Sequence, residues 1–267
     1  MTARSIRRSF QPLAVVAALL FPSAATAQAP AQGAPSLSLS PSVVMLKATF
    51  GQTIKQTIAL DNGTAQGLDF EMIADDVVVK NGKRVFVPAG ELPRSIAATA
   101  VFSERNGHVE PGSSQAIQVL LTIPDQTSIR AVAIYFRAQH VLVSHGTVSI
   151  TATVGALITF ILSDNAVVQA EPVRVHAATA SENLKIVEAL KNTGSEPVVP
   201  DGIAAFVDAG GSLVAKIPFQ AQRLLPGERL DFSAEYAGRL KPGAYRVLCT
   251  FSYEGKALTN TVEMRVR

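Results

Sequence analysis

An all-β chain, built as two tandem Ig-like β-sandwiches behind a cleaved signal peptide, is the fold this sequence predicts. Three observations predict it. Apolar residues recur at every second position through most of the 267 residues, the pattern of strands with one buried face. Gly, Pro and Asn clusters punctuate those runs at the short, steady intervals of a sandwich. The second half also repeats the plan of the first: a strand ending in Asn, then a Pro-Gly turn into a core strand.

The N-terminus stands apart from this pattern. Arg4, Arg7 and Arg8 form a basic region, Leu13–Phe21 a short apolar one, and Ala25-Thr26-Ala27 a small-x-small cleavage site, with Ala27-Gln28-Ala29 as a second option. Residues 1–27 are therefore expected to be a signal peptide, and residues 28–36 a disordered Pro/Ala/Gly linker. No later stretch has the roughly 20 uncharged apolar residues of a membrane helix.

Residues 37–162 are expected to form the first sandwich. Ser36–Ser40 and Val43–Leu46 are short strands parted by Pro41. Thr53–Leu60 runs into the turn Asp61-Asn62-Gly63. Leu68, Phe70 and Met72 alternate, and Asp75-Asp76 marks a strand end or bulge. Asn81-Gly82 between two valine-rich runs is a type I′ hairpin signal. Ile96–Phe102 is a further strand. After Glu110-Pro111-Gly112, residues Ile117, Val119, Leu121 and Ile123 alternate, and Arg130–Ser144 follows the same pattern.

Val148–Leu162 closes this half with eight apolar residues at every second position. Unbroken, it would run about 50 Å at roughly 3.3 Å per residue. Two segments bent at Gly155 are the plainer reading, since glycine inside a strand often marks a kink. The alternative is one long strand that lends its apolar face to a partner.

Residues 163–180 read as a connector with a short strand at Val173–His176, and residues 181–267 as the second sandwich. Leu184–Leu190 suits a helix on propensity alone, but the sheet context favours a strand. Ile203–Val207, Leu213–Ile217, Leu230–Phe232, Val247–Phe251 and Leu258–Val266 supply the rest. Leu240-Lys241-Pro242-Gly243-Ala244-Tyr245 looks like a tyrosine corner, which gives Tyr245 a structural role.

Composition narrows the function. Three of the 24 basic residues lie in the signal segment, leaving 21 basic against 21 acidic. There is no Trp and no Lys/Arg cluster with interleaved aromatics, so a nucleic-acid partner lacks its footprint. A single Cys249 leaves no internal disulfide. It reads as a small buried side chain, with an intermolecular bridge as the other option.

A search for chemistry finds no catalytic, metal or cofactor set. His108, His140, His145 and His176 form no ligand spacing, and His140 and His145 face opposite ways along a strand. No nucleophile elbow or phosphate-cradling loop occurs. Asp75-Asp76 and Asp164-Asn165 supply too few oxygens for Ca²⁺. Asn62-Gly63-Thr64 is formally a glycosylation sequon, but it is also a turn. Arg130 could clamp a partner's carboxylate in a cleft, although a salt-bridged edge residue is the simpler reading. The expectation is a non-enzyme.

Several of these pieces together resemble a known family. Leu39-x-x-x-Val43, the Asn62-ended strand, Glu110-Pro111-Gly112, the Arg130-to-Phe136 strand and the long closing strand are similar to the N-terminal Ig-like domain of periplasmic pilus chaperones. The resemblance implies that the closing strand donates its apolar residues to an incomplete pilin sandwich by strand addition. Val148, Ile150, Ala152 and Val154 would carry that role. No Lys or Arg lies within 148–162, where the family places a basic residue that helps clamp the subunit's terminal carboxylate. The two-domain plan is also similar to surface proteins that interact with WxL proteins, through Asn192-x-Gly194, Leu225-Pro226-Gly227 and Leu240-x-Pro242-Gly243-x-Tyr245.

Two functional expectations follow. One is an exported binding protein of the cell envelope, in the periplasm or at the surface, with a protein partner at an exposed strand edge or with peptidoglycan. The alternative is a periplasmic chaperone for pilus or fimbrial subunits. Neither involves nucleic acid or a transmembrane anchor.

Overall fold

The structure, a computed structural model, describes residues 36–138, 141–142, 149–150, 152–176 and 183–266. The expected signal peptide, residues 1–27, and nearly all of the expected linker, residues 28–36, lie outside the described residues. In chain order the first half contains β1 (Leu37–Ser40), β2 (Val43–Lys47), β3 (Thr53–Asn62), β4 (Leu68–Lys80), β5 (Lys83–Pro88), β6 (Val101–Phe102), β7 (Asn106–Val109), β8 (Ser114–Thr122), β9 (Ala131–Ala138), β10 (Val141–Leu142), β11 (Ser149–Ile150) and β12 (Thr153–Ile161). The second half contains β13 (Val168–Ala170), β14 (Arg174–His176), β15 (Leu184–Asn192), β16 (Asp201–Asp208), β17 (Leu213–Pro218), β18 (Arg229–Tyr236), β19 (Gly243–Tyr253) and β20 (Lys256–Val266). Among the described residues the single helical element is a 3-10 turn at Ala97–Thr99.

The fold is all-β, two Ig-like sandwiches in tandem. In the first, β1-β3-β8-β6 faces β2-β12-β9-β4-β5, with β7 also paired to β4. In the second, β13, β14 and β18 flank β15, facing β17-β16-β19-β20. Each pair of sheets closes on its own core. Ile58, Leu60, Phe70, Met72, Ile117, Leu121, Phe136 and Phe160 fill the first, and Ile186, Leu190, Phe206, Phe232, Val247 and Phe251 the second. These are the residues whose alternation marks the strands, because period-2 spacing turns one set inward.

Pro41 separates β1 from β2, and the two strands join different sheets. β1 pairs antiparallel with β3, while β2 pairs parallel with β12, with Val43 opposite Leu157 and Lys47 opposite Ile161. The Asn81-Gly82 hairpin forms as its sequence demands. Both residues sit at positive φ, 53° and 75°, between Lys80 and its partner Lys83.

The repeated plan has a repeated physical basis. The buried Asn62 side-chain amide donates to the carbonyls of Gln66, Val109 and Glu110, and the Asn62 backbone carbonyl accepts the Gly112 N–H. In the second sandwich the buried Asn192 side-chain amide donates to the carbonyls of Glu196 and Leu224, and the Asn192 backbone carbonyl accepts the Gly227 N–H. One short amide thus pins a Pro-Gly turn to the end of a core strand in each half. At the third corner the Tyr245 hydroxyl donates to the Lys241 carbonyl at 2.8 Å.

Three local expectations are corrected. Asp75 and Asp76 do not end a strand but lie inside the 13-residue β4. Asp76 is fully buried, and its Oδ1 accepts the Ala97 N–H at 2.9 Å. That bond helps turn Ile96–Phe102 into a 3-10 turn and a two-residue strand instead of one strand. The closing strand is not bent at Gly155. β12 runs unbroken through it, paired with Tyr135, and the interruption precedes Thr153. Gly155 is tolerated there because the Tyr135 ring covers it: a Cβ at Gly155 would lie 3.0 Å from the ring's Cδ1.

Candidate partner-binding edge and cleft

The register of β12 defines an open edge. Its even-numbered residues turn their backbone groups toward β9, as in the Ala138 N–H to Ala152 carbonyl bond (2.9 Å) and the Phe160 N–H to Arg130 carbonyl bond (2.9 Å). The odd-numbered residues turn theirs to the other side. There Leu157 N–H donates to the Ser42 carbonyl and Ile161 carbonyl accepts the Ala48 N–H. β2 pairs only with Leu157–Ile161. By the same alternation, the N–H and C=O groups of Thr153 and Gly155 face outward, and among the described residues no strand pairs with them there. A row of unpaired backbone groups is a template for another strand.

The side chains of β12 divide by parity. Ala156, Ile158 and Phe160 are buried in the first core, and Ala152 and Val154 pack half-buried on its rim. Of the four residues that the sequence singles out for a partner, Val148 lies outside the described residues, as does the side chain of Ile150. Ala152 and Val154 lie beside the open edge.

On the outer face, Leu157 joins Val77, Val79, Ala131, Ala133 and Tyr135 against Leu225 of the second sandwich. This contact explains why β9 is buried on both faces and reads as a near-continuous apolar run. Ion pairs surround it. Arg84 on β5 grips Glu228 at both oxygens, Nε to Oε1 at 2.7 Å and Nη2 to Oε2 at 3.0 Å, and also donates to the Arg223 carbonyl. Arg130 reaches Glu196, its Nε lying 3.1 Å from both oxygens, while Nη1 donates to the Thr127 carbonyl. Glu196 also accepts the Leu162 N–H and the Ser163 hydroxyl, both at 2.8 Å.

Of the two readings the sequence left for Arg130, a clamp for a partner's carboxylate and a salt-bridged edge residue, the Glu196 pair matches the second. Its side chain is only 11% exposed and its charge is matched inside the molecule.

Where β2 begins, the open edge leads into a cleft between the two sandwiches of about 780 Å³, lined by Val43, Lys83, Arg84, Leu157, Arg223 and Arg229 among others. Arg84 is taken by Glu228, and Arg229 by Glu171 and Asp231. Arg223 differs. Its Nε and Nη1 are buried with no hydrogen-bond acceptor among the described residues. Burial, then the neighbouring Arg84 charge, lowers its guanidinium from the ordinary value. Burying two guanidinium nitrogens without an acceptor among the described residues is costly.

Sequence reasoning missed Arg223 and Lys83. They come from the second sandwich and from β5, on either side of the cleft, and no local spacing joins them. Among the described residues no group of three His, Cys, Asp or Glu side chains is placed to hold a metal ion.

The chain matches no protein-family model and no curated protein. Among the solved structures to which it is similar are several chaperones. One is the class 5 fimbriae chaperone CfaA, at 15% identity over 85% of this chain and 98% of that one, with a TM-score of 0.45. Others are the Pseudomonas aeruginosa CupB2 chaperone (11%, 86% and 100%, 0.39) and the E. coli chaperone DraB (12%, 87% and 98%, 0.37).

Proposed function

We propose that this chain is an exported, non-enzymatic chaperone that binds an extended segment of a partner protein by adding it as a strand to the edge of β12. The envelope-binding expectation thus narrows to its alternative, a periplasmic chaperone for pilus-type subunits. The observation that carries the reading is the edge at Thr153 and Gly155, unpaired among the described residues, in line with β2 and ending at a cationic cleft.

Charge selects a direction for the guest. β2 runs parallel to β12 along the same edge. A guest strand that also runs parallel brings its C-terminal end to Ser42 and Val43, where Arg223 and Lys83 wait. An antiparallel guest would bring an ammonium group to the same cations. The unpaired Arg223 therefore favours the parallel arrangement, with a terminal carboxylate taking the guanidinium. The basic residue missing from the closing strand is replaced from across the cleft.

The signal segment supports export to the periplasm, where a subunit with an incomplete sandwich would be met. Co-expression there with such a subunit should give a stable complex. Thr153→Pro removes one outward N–H without touching the β9 ladder and should abolish the complex while leaving the circular dichroism spectrum unchanged. A complex that survives T153P intact refutes strand addition at this edge.

A further inference from the structure

The outer face of the open edge carries a feature that strand addition alone does not need. Gly155 leaves a notch in the row Thr153, Gly155, Leu157, and the Tyr135 ring leans across β12 to cover it, with Cδ1 and Cε1 3.0 and 3.1 Å from where a Cβ would stand. Phe86, 51% exposed, meets that ring edge-on at 6.1 Å between centroids. The nearer ring, Tyr135, thus lies half-buried beside the outward-facing backbone of Gly155, with Phe86 of β5 behind it on the side away from the edge.

We propose that Tyr135, presented across Gly155, selects a long apolar or aromatic side chain in the strand added to β12, on the face opposite the first core. The inference rests on the strand-addition reading above. Neighbouring strands lie roughly 4.8 Å apart, so an added strand stands two spacings from β9, and the Tyr135 ring already spans one of them. Val and Thr branch at Cβ and stop short of it. Phe, Tyr, Leu or Met closes the gap, and an aromatic ring gains the offset or edge contact that ring pairs favour. The guest's other face meets Ala152 and Val154, so its two faces are read by different surfaces.

The probe is a set of short peptides of alternating Thr and Val, N-terminally fluorescent with a free C-terminal carboxylate. A single Phe replaces each Thr in turn, and binding to the full chain is read by fluorescence polarisation. Phe at one position should bind roughly tenfold tighter than the Phe-free parent. Tyr135→Ala should erase that gain, so that the Phe-bearing and parent peptides bind the variant alike. Gly155→Val, which fills the notch with Tyr135 in place, should erase it as well.

Equal affinity at every Phe position overturns the selection by Tyr135, as does a gain that survives both Y135A and G155V. The positional scan on the unmodified chain decides the matter even if a variant fails to fold. No binding by any peptide, the Phe-free parent included, overturns the strand-addition reading and this inference with it.

Discussion

Removing Glu196 should be the most damaging single change outside the two cores. Its carboxylate is 1% exposed and accepts from Arg130 Nε, the Leu162 N–H and the Ser163 hydroxyl. Leu162 and Ser163 are the residues at which the chain leaves the first sandwich. One carboxylate of the second sandwich therefore ties down the exit of the first. Glu196→Ala strands a guanidinium whose side chain is 11% exposed and leaves a partly buried N–H without an acceptor. Breaking a buried pair by removing one partner costs about 3–5 kcal/mol.

Replacing both partners by apolar side chains should behave differently, because no charge is then left uncompensated. Arg130→Met with Glu196→Leu should recover all but about 1–2 kcal/mol, the remainder reflecting the orphaned Leu162 N–H. The chain has no Trp, so urea unfolding is best followed by far-UV circular dichroism, with the two sandwiches free to unfold in separate steps. A loss below about 1 kcal/mol in E196A, or a double variant no more stable than the single one, would refute the reasoning: the pair would then be a screened surface contact.

Two further outcomes follow from buried polar groups in the second sandwich. Glu188 points into the core between Ile186 and Leu190 with one oxygen bonded to Asn260 and the other unpartnered, and burial raises its pKa. A raised folded-state pKa favours stability at low pH and withdraws it as pH rises through that value. Melting temperature should thus fall with rising pH in the wild type and lose that dependence in Glu188→Gln; parallel curves for both would exclude it as the source. Asn192→Ala strips donors from two buried carbonyls and should cost about 2–4 kcal/mol, measured by urea unfolding, whereas a surface-like loss of a few tenths would show that the corner is held by the Pro-Gly turn alone.

The fold was largely legible because each of its signals is local. The alternation of Ile117, Val119 and Leu121 needs only a strand with one dry side. Asn81-Gly82 needs only two residues that accept positive φ. The paired corners at Asn62 and Asn192 were visible as a repeated Asn and Pro-Gly plan, although their hydrogen bonds span dozens of residues. Local signals failed where a distant group intervened. Asp75-Asp76 resembles a strand terminator, because nothing nearby shows that Ala97 returns to satisfy Asp76. Gly155 resembles a kink, because its cover is a ring on the neighbouring strand.

The proposed site was legible on one side only. The closing strand advertises its even-numbered apolar residues, so Ala152 and Val154 could be singled out by parity. The odd set, with Thr153, Thr159 and Gly155, looks like a solvent face, yet Leu157 is packed against Leu225 and Thr159 is fully buried with its hydroxyl on the Val44 carbonyl. A strand between two sandwiches has no polar side to display where the second one covers it. The charges followed the same logic. Arg130 and Arg223 are equally plain in the sequence, and what separates them is Glu196, which arrives to match one and leaves the other bare. Which arginine is left for the proposed guest is thus a property of how the two sandwiches meet. Variants that loosen that junction, Glu196→Ala first among them, should therefore weaken guest binding even though they touch no residue of the β12 edge.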